Sequence, residues 1–173
     1  GRRKRGSTVR LINDQAEHPG VHGHDKFTLN NSADALAERL LILAERTPGM
    51  LYQYRLRPDG TSHFPFTTTG IRDIYGVTPE EVVNDAQRVF DVLHHDDLEG
   101  IANSIIESCQ SLTPWQHTFR VNHPSGRTLW VRGHSVPQRL DDGSTLWHGY
   151  IVDVTEQQLT EQTLTERERY LRA

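Results

Sequence analysis

The 173-residue sequence has one cysteine, Cys109, and one methionine, Met50. A lone thiol excludes an intrachain disulfide, and with it a secreted disulfide scaffold or a cysteine-based zinc site. A reducing compartment is therefore expected. No apolar run approaches the roughly 18 residues that a membrane-crossing helix needs, and the start shows no signal-peptide pattern. These absences predict a soluble cytoplasmic chain, with any membrane attachment left to a parent protein. The formal net charge is only -4, which predicts no broad affinity for nucleic acid. The sequence also lacks a phosphate-cradling loop and a recognisable nucleophile. A metal-dependent hydrolase built on "HHDD" would have no convergent ligand set, so no catalysis is expected.

What is present reads as one domain of ordinary size with tails, with 35% hydrophobic and 24% charged residues. Residues 1–30 mix Gly, Pro, His and charges without a period and read as a tail or linker. The basic opening "GRRKRGSTVR" is assigned no function, and "HPGVHGH" at 18–24 no metal. Over 31–47, "SADALAERLLILAERTPG" has Ser32 as a cap, Leu36, Leu40, Leu43 and Ala44 at helical spacing, and Pro48-Gly49 as a stop.

The next stretch, "MLYQYRLRPDG", alternates and then turns. Its return strand "SHFPFT" carries Pro65, which cannot donate to a ladder and so requires a sheet edge. Short helices follow, one opened by a capping box of Thr78, Pro79 and Glu81. In "HHDDLEGIANSIIESCQ" Asp96 reads as the helix cap, with Leu98, Ile101, Ala102, Ile105 and Cys109 on one face. Three alternating strands close the domain, the last running into a helix through "GYIVDVTEQQ", where Thr155 and Gln158 read as a T-x-x-Q capping box. This order predicts an α+β fold, one antiparallel sheet with its helices on one side.

Four stretches, in order and spacing, resemble a PAS domain with its C-terminal PAC segment, over about residues 48–158. They are "GIRDIYGVTPEEV", "LHHDDLEGI", "TFRVNHPSGRTLWVRGHSVP" and "GYIVDVTEQQ". His95 departs from the pattern, standing where the family usually has Pro. The resemblance implies a five-stranded sheet of order 2-1-5-4-3, a sensor over 48–155 with a pocket between sheet and short helices, and a signalling helix over 156–173. It also implies a sensory module in a bacterial-type signalling protein, feeding a histidine kinase or a cyclic-dinucleotide enzyme. A ligand-free dimerisation spacer is the alternative.

Strand parity in such a sheet puts Tyr52, Tyr54, Phe119, Val121, Val131, Ser135, Trp147 and Ile151 on the pocket side, joined by Ile74 from the short helices. The cofactor is left open. Non-covalent flavin, haem, a small molecule or a filled core all suit the family. Adduct-forming flavin chemistry is disfavoured, because the middle helices lack the reactive Cys of an Asn-Cys-Arg-Phe-like motif and Ile151 replaces the strand-five Gln. His117, His94 and His95 are the candidate ligand or haem contacts. For His117 a structural position is the favoured reading. The adjacent His94 and His95 are expected to diverge, leaving no metal site.

Asp153 and Thr155 are the expected signal-transmission residues. The opposite sheet face, with Trp130, Tyr150 and Val152, forms an apolar patch that calls for a cover. Together with Leu36, Leu40 and Leu43 it predicts a homodimer.

Overall fold

The computed structural model describes residues 24–173, with side chains from Ser32 onward. The basic opening cluster and the histidines of 18–24 lie outside the described side chains. The chain divides after Leu41. Helix α1 (His24–Arg46) begins upstream of the expected Ser32 cap. The stretch from His24 to Thr47 contains neither Gly nor Pro, so nothing stops the helix between Gly23 and Pro48-Gly49. Its residues Leu36, Leu40 and Leu43 are all exposed. Among the described residues no helix is long and apolar enough to cross a membrane.

From Ile42 onward the chain builds an α+β domain on one antiparallel sheet. Its strands are β1 (Met50–Leu56), β2 (Ser62–Thr67), β3 (Trp115–Asn122), β4 (Thr128–Arg139) and β5 (Thr145–Asp153). They lie in the order β2-β1-β5-β4-β3, so β5, the last strand in sequence, is the central one. Strand β2 is at the edge, as Pro65 requires. The β1–β2 register slips between Gln53 and Arg55, where Phe64 and Pro65 oppose Tyr54 alone. This bulge absorbs the proline's missing donor. Pro137 sits where β4 has run past Trp115, the start of β3, so it has a strand neighbour only in β5, where it stands opposite Trp147 in an unbroken register.

The helices α2 (Ile71–Tyr75), α3 (Pro79–Val82), α4 (Gln87–Phe90) and α5 (Leu98–Ser111) lie on one face of this sheet. Ile71, Ile74, Val82, Ala86 and Ile101 seal the core against the inner strand residues. The capping box of α3 is present, with the Glu81 carboxylate accepting from the Thr78 hydroxyl at 3.1 Å and its N–H at 3.3 Å.

Helix α5 corrects two expectations. Leu98 and Ala102 are exposed, and the buried face runs through Ile101, Ser104, Ile105 and Ser108. Ser108 is buried and Ser104 half-buried because each accepts an indole N–H. Trp115 Nε1 donates to Ser104 Oγ at 2.8 Å and Trp147 Nε1 to Ser108 Oγ at 2.9 Å. Two tryptophans from different strands thus pin the helix to the sheet, and a polar residue that satisfies a buried donor belongs inside.

The start of this helix also differs. A 3-10 turn at His95–Asp97 precedes it, the His94 ring accepts from the Asp96 N–H, and Asp97 occupies the cap position without capping. The Asp97 carboxylate instead grips β3, accepting from the Arg120 backbone N–H at 2.8 Å and from its guanidinium at 2.9 and 3.0 Å. That hydrogen-bonded guanidinium holds the Asp97 carboxyl below the usual carboxylate range. The other side of Arg120 lies over the Trp130 ring, 5.2 Å from its centroid.

Candidate ligand cavity and signalling junction

Between the sheet and the helices lies a cavity of about 50 Å³. Its floor is the inner sheet face, where Tyr52, Tyr54, Ser135, Trp147 and Ile151 alternate with outward side chains, and Phe119 closes one side. Its roof comes from the helices and β2. Tyr75 enters from α2, Phe90 from α4, Ile101 and Ile105 from α5, and Phe64 from the edge strand.

Val121, Val131 and Ile74, expected at the same wall, are buried in the core but stand away from the cavity. Leu93 forms an isolated bridge with Val121 and covers that end of β3, which fills the space the valines would have lined.

The wall is aromatic and uncharged, with no Asp, Glu, Lys, Arg or His among the described residues that line it. Tyr54 packs its ring 5.1 Å from Phe64 and 5.6 Å from Trp147, in tilted arrangements that aromatic pairs favour. Burial raises the phenols of Tyr52, Tyr54 and Tyr75 above their ordinary range, opposed for Tyr52 by the nearby Ser135 hydroxyl and for Tyr54 by Ser62. All three stay protonated donors at neutral pH. The Tyr52–Ser135 approach falls short of hydrogen-bond geometry, and Ser135 Oγ, fully buried, has no partner among the described residues. A space of this size holds about three or four waters. A flavin or haem needs several hundred Å³.

The candidate histidines stand outside this wall. His117 is half-buried, its ring between Trp115 and Phe119 at 6.4 and 6.1 Å. His94 and His95 do not diverge. Their rings stack at 4.9 Å, and a ligand atom from each lies within 4.8 Å of the others and of an Asp96 oxygen. The turn at Asp96 folds the chain back on itself, which brings neighbouring side chains together. The Nδ1 of His94 is occupied by the Asp96 N–H, so a metal there would first have to break that bond.

The far wall of the cavity leads into the last helix, α6 (Thr155–Arg172), which begins two residues after β5 ends. The cap differs from the expected T-x-x-Q box. Gln158 N–H donates to the Val154 carbonyl at 2.8 Å, while the Thr155 N–H is taken by Asp153 Oδ1 at 2.8 Å. An aspartate two residues upstream outcompetes the longer, neutral Gln158 amide, because its carboxylate reaches the N–H through a short side chain.

Thr155 Oγ1 is thereby freed to accept from the Trp130 N–H at 2.9 Å, and the Val154 N–H donates to the Trp130 carbonyl at 2.8 Å. Both expected transmission residues thus lie at a junction where strand pairing with β4 continues into the first turn of α6. On the outer sheet face Tyr150 is exposed, stacked on His134 at 5.7 Å, and Trp130 and Val152 are half-buried.

The PAS fold family model matches residues 64–151, half the chain, and the chain belongs to that family. Solved structures agree on the fold. A sensory box histidine kinase/response regulator from Burkholderia thailandensis is 18% identical, with a TM-score of 0.56 over 78% of this chain and 96% of that one. The N-terminal domain of a diguanylate cyclase with PAS/PAC sensor from Marinobacter aquaeolei is 16% identical, with a TM-score of 0.52 over 62% and 98%. The PAS domain of an HTR-like protein from Haloarcula marismortui is 16% identical, with a TM-score of 0.51 over 72% and 98%. No curated protein matches the chain.

Proposed function

We propose that this chain is a cytoplasmic sensory module that binds a small molecule between sheet and helices and passes a conformational signal through α6 to an effector. A histidine kinase or a cyclic-dinucleotide enzyme in the same polypeptide is the proposed effector, as in the named signalling proteins that share the fold. The observation that carries this reading is continuity. Ile151 lines the cavity, and two residues beyond it Asp153 holds the N–H of Thr155 at the root of α6. A ligand that displaces β5 therefore moves the helix start, and a ligand biases an equilibrium only through such differential contacts.

Thr155→Ala in the full-length protein removes the acceptor of the Trp130 N–H and loosens the helix root from β4. Couplings of this kind are typically about 5–150-fold, and the regulation factor of the effector is expected to fall toward one while ligand affinity stays within about 2-fold. Wild-type regulation in the variant would refute the junction's role.

The exposed Leu36, Leu40 and Leu43, together with the Trp130, Tyr150 and Val152 face, support assembly as a homodimer. Sedimentation velocity is expected to show a rise in mass with concentration. A monomer at every concentration would count against it.

A further inference from the structure

We infer that the cavity selects a small, uncharged molecule bearing a carbonyl or hydroxyl oxygen, held by the otherwise unpartnered Ser135 hydroxyl. The inference rests on the ligand-binding reading above and names the ligand class. Three observations converge on it.

The first is an unmet polar group. Ser135 lies on β4 between Gly133 and Pro137 with its Oγ buried and unpaired, and its residue is part of the cavity wall. Buried hydroxyls in folded proteins are nearly always paired, by protein, water or ligand. A ligand oxygen or hydroxyl placed here would satisfy it and displace any water doing so.

The second is the absence of charge from the wall among the described residues. A carboxylate or phosphate would lose its hydration and meet no cation, which is costly in an apolar surround. The wall's own phenols report the same bias, since burial disfavours the negative form of Tyr52, Tyr54 and Tyr75 alike. As protonated groups they are donors, so the wall offers hydrogen bonds to a neutral oxygen without offering a counter-charge.

The third is size. About 50 Å³ admits a molecule of a few heavy atoms and excludes the large planar cofactors.

Acetone and acetate test the class, because they share a planar shape and differ by one methyl exchanged for a charged oxygen. Methyl NMR of the whole chain, read at Ile101, Ile105 and Ile151, follows the wall directly. Acetone is expected to shift these methyls saturably, and acetate to bind at least about tenfold more weakly because its charge is stranded. Ser135→Ala should weaken acetone by about 2–10-fold, the range of one neutral hydrogen bond. Its unfolding midpoint should not fall, since the lost hydroxyl has no protein partner, so the variant remains a valid test.

Acetate binding as well as acetone, or acetone binding unaffected by Ser135→Ala, overturns the class while leaving the ligand-binding reading intact. If acetone, acetate, riboflavin and haemin all leave the three methyls unmoved, both fall together.

Discussion

Replacing Trp147 by alanine is expected to destabilise the domain by about 3–5 kcal/mol, the range for truncating a buried large aromatic. The melting temperature should fall by something on the order of 10–20 °C. The side chain is 2% exposed and sits on the central strand, so no neighbouring edge can collapse into the space it leaves. Three attachments disappear at once: the ring contact with Tyr54 at 5.6 Å, the wall of the cavity, and the indole bond to Ser108. Ser108 also donates to the Thr113 carbonyl at 2.6 Å, so it is not orphaned by the change. Most of the loss should therefore be packing rather than an unmet polar group.

Trp147→Phe separates the two terms. It keeps most of the aromatic body and loses only the indole donor, so it should cost about 1 kcal/mol beyond the volume change. Urea unfolding of both variants checks this. An alanine variant within about 1 kcal/mol of wild type would mean that α5 is not pinned through this residue.

The inner sheet face was legible from parity alone. Tyr52, Tyr54, Phe119, Val121, Val131, Ser135, Trp147 and Ile151 were read as one face, and all are buried. A strand shows its faces every second residue, so the pattern survives without tertiary information. Pro65 was equally informative, because a missing N–H has the same consequence wherever it occurs.

The roof of the cavity was not legible. Tyr75, Phe90 and Phe64 come from a five-residue helix, a four-residue helix and a bulged edge strand. Elements that short show no period, so which side chain faces inward is decided by packing rather than by spacing.

The serines of α5 failed for the opposite reason. The apolar spacing of the helix does not pick them out, and only the positions of Trp115 and Trp147, eleven and thirty-nine residues away in the relevant pairs, reveal their partners. A signal was available, since every buried tryptophan needs an acceptor for its N–H. For Trp115 the partner lies eleven residues back, at Ser104.

The junction at Thr155 was located correctly but assigned the wrong bonds. The local T-x-x-Q pattern is satisfied by many helix starts. Here the Asp153 carboxylate holds the Thr155 N–H and hydroxyl, and the Trp130 N–H of the neighbouring strand donates to that hydroxyl. Competition of this kind is invisible to a motif read in isolation.

Gly149→Ala is expected to be as damaging as the loss of a tryptophan, although it adds only a methyl group. Gly149 lies on β5 between Trp147 and Ile151 and pairs with Tyr52 on one side and Ser135 on the other. A Cβ there would collide with the His134 carbonyl oxygen and the Ser135 Cβ, and would stand 2.6 Å from the Ser135 Cα. These are mainly backbone atoms of a paired strand, so no rotamer change relieves the contact. The β4–β5 ladder itself must move, and overpacking of this kind costs about 3 kcal/mol or more.

Gly100→Ala provides the contrast within one molecule. There the added methyl meets only the His117 ring, at an ordinary 3.7 Å, in the first turns of α5. Helix propensity then dominates, and this variant should gain up to about 1 kcal/mol. Thermal unfolding of the pair should therefore move in opposite directions. A Gly149→Ala chain that melts with the wild type would show that β4 and β5 do not approach as closely as this register requires. The same closeness gives Gly149 a place in the proposed mechanism, because the strand that it holds against Ser135 also carries Ile151 and leads into α6.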